Sequence, residues 1–158
     1  MNLSAGQLTA LATDINAQGS LASARTTHDA PAVANFYNAA SATAVWRSDL
    51  RNSEVVAALV GSDVSALASS GLLGLLQLLV MPLTIDASSA NIRSDFTTLF
   101  SGKTSLTNLT AVAQRTATRI EALFGSGGPP ITCGTDVGGL SLFGQPLDAG
   151  TVAKAMGW

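Results

Sequence analysis

The stretch Ser105–Phe124, SLTNLTAVAQRTATRIEALF, constrains this chain more than any other. Its apolar residues Leu106, Leu109, Val112, Ala113, Ala117, Ile120, Leu123 and Phe124 recur mostly at steps of three and four, the repeat of one helix face. Thr104 or Ser105 offers a capping oxygen for the first turn, and Gly125 stands where a left-handed residue closes the last one. The spacing predicts one helix over 105–124, roughly 30 Å long at about 1.5 Å per residue. A helix of that length spans a small domain, so the remaining segments are expected to pack around it. Arg115 and Arg119 lie four apart and share its outer side with Asn108. They read either as a solvated face or as an anchor for an acidic partner.

The chain has 158 residues, enough for one domain with a real core. Net charge is −2, so no global basic field recruits nucleic acid. Charged residues make up only 11%, against about 25% in ordinary domains. A surface so poor in charge is weakly protected against association and fits a protein buried among copies and partners. The single cysteine, Cys133, excludes an intrachain disulfide and a cysteine-based zinc site. Residues 1–19 lack a basic start and a continuous apolar core, so no secretory signal is expected there.

Capping signals mark most of the helices. Ser4 and Gln7 have capping-box spacing, and Leu8, Leu11 and Ile15 follow, so a helix is expected over 5–17. A loop with Arg25 and His28 comes next. Asp29 caps a second helix that tolerates Pro31 in its first turn, with Val33, Phe36, Tyr37 and Ala40 as its apolar stripe. Ser41–Arg47 reads as extended and ends in Trp46, whose indole suits a core or interface anchor. Ser53–Val60 reads as helical, stopped by Gly61, with Asp63 capping another piece. From Val64 to Ile85 no residue is charged. The dense part, Leu72–Met81, is about half the length a bilayer core needs and is broken by Gly74 and Gln77. It reads as a buried helix or a subunit contact, not a membrane span. Asp86, Ser88 and Ser89 form a turn and cap before a helix over 90–100. After Gly125–Pro130, a flexible turn, Ile131–Cys133 and Leu140–Phe143 are expected to pair as a hairpin. Asp148 caps a last helix, Ala149–Met156. The expected fold is therefore mainly α: a helical bundle over 1–124, then a glycine-rich extended arm and short helix over 125–158.

No catalytic constellation is legible. Ser101-Gly-Lys103-Thr104 resembles the end of a phosphate loop, but that loop needs a glycine five positions before the Gly-Lys pair, where Thr97 stands. It also needs a preceding strand, and a helix is expected there. His28 has no motif spacing to Cys133 or to a Ser-Asp pair. The only glutamates are Glu54 and Glu121, and most aspartates stand at helix caps, so neither paired-carboxylate catalysis nor a carboxylate metal cage is supported. The expectation is no enzyme, no cofactor and no metal.

Several short stretches in order carry a resemblance. They are Tyr37-Asn38, then Val45-Trp46-Arg47; Ile85-Asp86-Ala87-Ser88-Ser89, then Asn91-Ile92-Arg93; and Arg115-Thr-Ala-Thr-Arg119-Ile-Glu121-Ala-Leu-Phe124-Gly125 with a Gly/Ser-rich sequel. This order resembles a family of head-to-tail connector (neck adaptor) proteins of tailed bacteriophages, over most of the chain. The resemblance implies a virion structural protein, made in the bacterial host cytoplasm and placed in the neck. It implies a homo-oligomeric ring, twelve-fold, beneath the portal protein, touching a tail or neck protein and passing DNA. The positions matching the family motifs are Trp46, Arg47, Arg93, Arg115 and Arg119, which become candidate interface residues. Leu72–Met81 is more apolar, and Gly125–Gly144 longer in glycine, than the family pattern. Two other readings stand beside it. One is a tail-completion or capsid-decorating protein. The other is a small enzyme or nucleotide binder built around Lys103, His28 or Cys133.

Overall fold

The structure, a computed structural model, describes residues 1–80, 83–128, 130–135, 137 and 141–158, with only the backbone at 78–80. The chain is mostly helical and divides into two compact units. The first holds Met1–Val45 and Thr116–Trp158, and the second holds Trp46–Arg115.

In the first unit, α1 spans Ala5–Ala17 and starts with the predicted capping box: Ser4 Oγ accepts from Gln7 N–H, and Gln7 Oε1 accepts from Ser4 N–H at 2.9 Å. A short 3-10 turn, Gly19–Leu21, leads into α2, Ala22–Thr26, where a loop was expected. Arg25 of α2 donates to the Ile15 and Gln18 carbonyls at 2.6 and 2.8 Å, so a cation closes the open end of α1. Asp29 caps α3, Ala30–Asn38, as its spacing predicted. The Asn38 side chain donates to the Leu147 carbonyl and accepts from its N–H. The strand β1, Ala40–Trp46, fulfils the extended reading of that stretch.

The second unit contains β2, Leu50–Arg51; α4, Asn52–Ala58; α5, Gly61–Ser65; α6, Ser69–Val80; β3, Thr84–Ile85; α7, Ala90–Phe100; and α8, Thr104–Val112. β2 and β3 pair antiparallel, Leu50 opposite Ile85. Buried Leu50, Val55, Phe96, Phe100 and Leu109 form its core, with α8 packed on α4 and α7. α4 ends at Ala58, short of the expected stop at Gly61, and Gly61 opens α5 instead. Asp63, expected to cap its own segment, instead accepts from the backbone N–H and hydroxyl of Ser105, both at 2.9 Å. It therefore caps α8 from 42 residues away in sequence.

The chain returns to the first unit through β4, Gln114–Thr118, which pairs with β1. Then come α9, Arg119–Phe124, and α10, Ala149–Met156. The single helix expected over 105–124 is therefore two helices and a strand. The break has a local cause. Thr116 and Thr118 are β-branched and favour strand, and Thr118 restarts a helix by accepting from Glu121 N–H. Glu121 Oε2 accepts in return from Thr118 N–H at 2.8 Å, a capping box. Gly125 has a φ of −72° and is not left-handed. Its lack of a side chain serves close packing: a Cβ there would meet the Ile131 side chain and the Glu121 carbonyl.

The first unit's core gathers Leu11, Ile15, Val33, Tyr37, Ile120 and Val152, all essentially without exposure. The C-terminal section belongs to this core, since Leu142 and Leu147 are buried in it and α10 packs on α1 and α3. A smaller cluster joins Val45, Ala117 and Ile131. The expected hairpin is different in register. Ile131 bridges Val45, Thr132 bridges Ser126, and Thr135 bridges Ser141. The part of that expectation at Asp136, Gly138, Gly139 and Leu140 lies outside the described residues. Gly157 closes α10 with a φ of +72°, in the left-handed region that glycine enters freely.

Candidate functional site

The five motif-matched residues occupy two settings. Arg47 is the most committed. It clasps Glu54 with two bonds, 2.8 and 3.0 Å, reaches Asp49 at 3.1 Å, and donates to the Val112 carbonyl. Glu54 also accepts from Arg51 N–H at the start of α4. The Arg47 fork thus ties that helix start to the end of α8, and the bond holds the Glu54 carboxyl below its ordinary range. Arg93 donates to the Ala87 and Ser88 carbonyls at 2.9 and 2.6 Å and lies 5.0 Å over the Trp46 ring. That cation–π contact covers one side of an indole packed on the second core. Trp46, Arg47 and Arg93 therefore use their polar and aromatic groups within the second unit.

Arg115 and Arg119 were expected on one side of a helix. Arg115 stands instead in β4, half-buried, and Arg119 begins α9. The Arg119 guanidinium lies 4.0 Å over the Phe36 ring and donates to the Phe36 carbonyl at 3.1 Å. Its other donors have no carboxylate partner among the described residues. It lines a cleft of about 250 Å³ in the first unit, with Asp14, Gln18, Tyr37, Ser41 and Leu123. In that cleft Tyr37 donates its hydroxyl to Asp14, and Gln18 Nε2 approaches the same carboxylate at 3.3 and 3.4 Å. Burial raises the Tyr37 hydroxyl pKa above its ordinary value; the Asp14 bond and charge add to the rise, and Arg119 opposes it. The two cleft charges thus both act on one buried hydroxyl. Sequence reasoning marked Arg119 but not Asp14. Asp14 sits four residues before Gln18 on α1, a spacing that gives no sign of its partner 23 residues on.

Apart from these five residues, the second unit carries an apolar surface. On α6 only Leu75 among the described leucine side chains is buried. Leu72, Leu73 and Leu76 are 39%, 62% and 55% exposed, and Leu83, just beyond the helix, is 92% exposed. Among its described side chains this charge-free run is therefore not a buried helix. Gly71 and Gly74 turn toward Leu99 of α7, which leaves the leucines on the outer side. No helix among the described residues is long and apolar enough to cross a membrane.

Lys103, His28 and Cys133, the residues of the enzyme alternative, each have their own local setting. Lys103 is exposed at the start of α8 in the second unit. His28 and Cys133 belong to the first. His28 has a φ of +53° and stacks on Trp158 at 5.1 Å, and Cys133 is half-buried against core residues. Among the described residues no group of three His, Cys, Asp or Glu side chains is placed to hold a metal. Comparison of the chain with family models, curated proteins and solved structures found no match.

Proposed function

We propose that the chain is a structural subunit of a bacteriophage virion, a head-to-tail adaptor that forms a ring beneath the portal protein. The ordered motifs from Tyr37 to Gly125 support the family reading. The observation that carries the assembly role is the row Leu72, Leu73 and Leu76 on α6, exposed in a chain with 11% charge. Large exposed apolar patches mark interaction surfaces. With Leu83, these side chains offer on the order of 400 Å² of apolar area. That is about half the roughly 800 Å² per partner of a stable two-body complex. Such a face suits a contact repeated around a ring, where many weak contacts close together. Its occupant in this reading is a neighbouring copy of the chain, because an uncharged patch meets other protein surface without like-charge repulsion.

The test is the mass of the protein in solution, alone and then mixed with the portal and neck proteins encoded beside it. Joining a portal ring in multiple copies is the expected result, abolished by Leu73→Glu with Leu76→Glu while the circular dichroism spectrum is kept. A monomer that ignores the portal but joins the tail would transfer the reading to tail completion. A monomer that ignores every virion protein would end it.

A further inference from the structure

The cleft at Arg119 carries a second, independent inference. It lies wholly within the first unit, between α1, α3, β1 and α9. Its cation is held from one side by the Phe36 ring and carbonyl. A guanidinium has five N–H donors, and among the described residues one of them is bonded, to the Phe36 carbonyl. Its anion, Asp14, is held by the Tyr37 hydroxyl and the Gln18 amide. The two charges line the same cleft and form no ion pair with each other. An anion alone would meet Asp14, and a cation alone would meet Arg119. The complementary ligand carries both charges, spaced so that each reaches its opposite. Phe36 and Leu123 give the cleft an apolar wall beside them. The volume, about 250 Å³, falls just under the range of about 300–1,000 Å³ usual for drug-sized ligands. One amino acid is the scale of molecule that fits.

We infer that this cleft binds a free α-amino acid with a short aliphatic side chain, its carboxylate on Arg119, its ammonium on Asp14 and its side chain against Phe36 and Leu123. Arg119 supplies a planar pair of donors suited to a carboxylate. Asp14 keeps lone pairs beyond those that Tyr37 and Gln18 use.

The experiment titrates the full chain with L-leucine, N-acetyl-L-leucine and L-leucinamide, following amide chemical shifts. Saturable shifts at Phe36, Tyr37 and Arg119 with leucine are expected. Each analogue lacks one charge and is expected to bind at least about tenfold more weakly, the cost of one lost charge-assisted bond. Arg119→Gln is expected to abolish the preference for leucine over leucinamide, and Asp14→Asn the preference over N-acetyl-leucine. Ala122→Leu fills the cleft without removing either charge. It is expected to block binding even if the two charge variants fold poorly. No saturation with a Kd better than about 10 mM would overturn the inference. So would equal binding of all three probes, or binding that survives Ala122→Leu. Tighter binding of N-acetyl-leucine than of leucine would overturn it in favour of an acidic group from a partner chain. None of these outcomes depends on whether the chain forms a ring.

Discussion

Glu121 is 1% exposed, and its carboxylate holds two separate pieces of backbone. Oε2 accepts from Thr118 N–H at 2.8 Å, and Oε1 accepts from Gly144 N–H at 2.9 Å. The first bond starts α9, and the second fastens the C-terminal section to it. Replacing Glu121 by Ala removes both acceptors and leaves two backbone donors without them. A hydrogen bond to a charged acceptor is worth about 1.5–3 kcal/mol net. Gly144 is exposed, so water takes over its N–H and that bond is worth nearer about 0.5–1.5 kcal/mol, which makes the expected loss about 2–4 kcal/mol. That is a large share of the roughly 5–15 kcal/mol of a folded domain. Glu121→Gln keeps one accepting oxygen and turns an amide donor toward the other N–H, so about half the loss is expected. Each unit has one tryptophan, Trp46 in the second and Trp158 in the first. Urea unfolding in a Trp46→Phe background follows Trp158 and so reports the first unit. A loss of about 3 kcal/mol moves its midpoint by roughly 1–3 M at an m-value of about 1–3 kcal/mol/M. A Trp158 shift below about 0.5 kcal/mol, the scatter of neutral surface changes, would refute the clamp.

Other outcomes follow from the same geometry. Gly134→Ala places a Cβ 2.5 Å from the Phe124 carbonyl oxygen, and Gly125→Ala places one 2.9 Å from the Glu121 carbonyl oxygen. Both are expected to cost about 1–3 kcal/mol by overpacking, read from the Trp158 signal; a neutral result at both would contradict the close approach. Acid should weaken both units. Asp148 is held below the usual carboxylate range, first by the Thr151 hydroxyl, and Asp63 by its bonds to Ser105. A carboxyl whose folded pKa is depressed stabilises the fold above its unfolded value of about 4 and loses that contribution as pH falls below it. Denaturation midpoints from pH 7 down to pH of about 3 should therefore fall for both tryptophan signals. Asp148→Asn should flatten the Trp158 profile and Asp63→Asn the Trp46 profile, and unchanged slopes would remove the assignment. Leu73→Glu and Leu76→Glu should leave both midpoints within about 0.5 kcal/mol, since these side chains are already in water; a larger loss would place them in the core.

What the sequence disclosed depended on the range over which each signal acts. Caps act within three or four residues, and Ser4, Asp29 and Asp148 stand where their spacing put them. Arg25 and Asp63 also close helix ends, but across separations of 7 to 10 and of 42 residues, beyond the reach of cap spacing, so neither could be read from its neighbours. The stretch 105–124 shows the limit most clearly. Its apolar residues follow helical spacing throughout, yet they serve three different clusters. Leu109 and Ala113 enter the second unit's core, Ala117 packs with Val45 and Ile131, and Ile120 enters the first unit's core. A four-residue step from Ala113 to Ala117 is ambiguous, because two strand periods and one helix turn cover the same count. What resolves it is the pairing of β4 with β1, some seventy residues earlier, and the restart signal Thr118–Glu121. The same argument separates Arg115 from Arg119. Their four-residue spacing suggests one face only if the helix runs through. With the strand in between, Arg119 is free to fold over Phe36 and face Asp14's cleft, a placement set by α1 and α3 and not by its own neighbours.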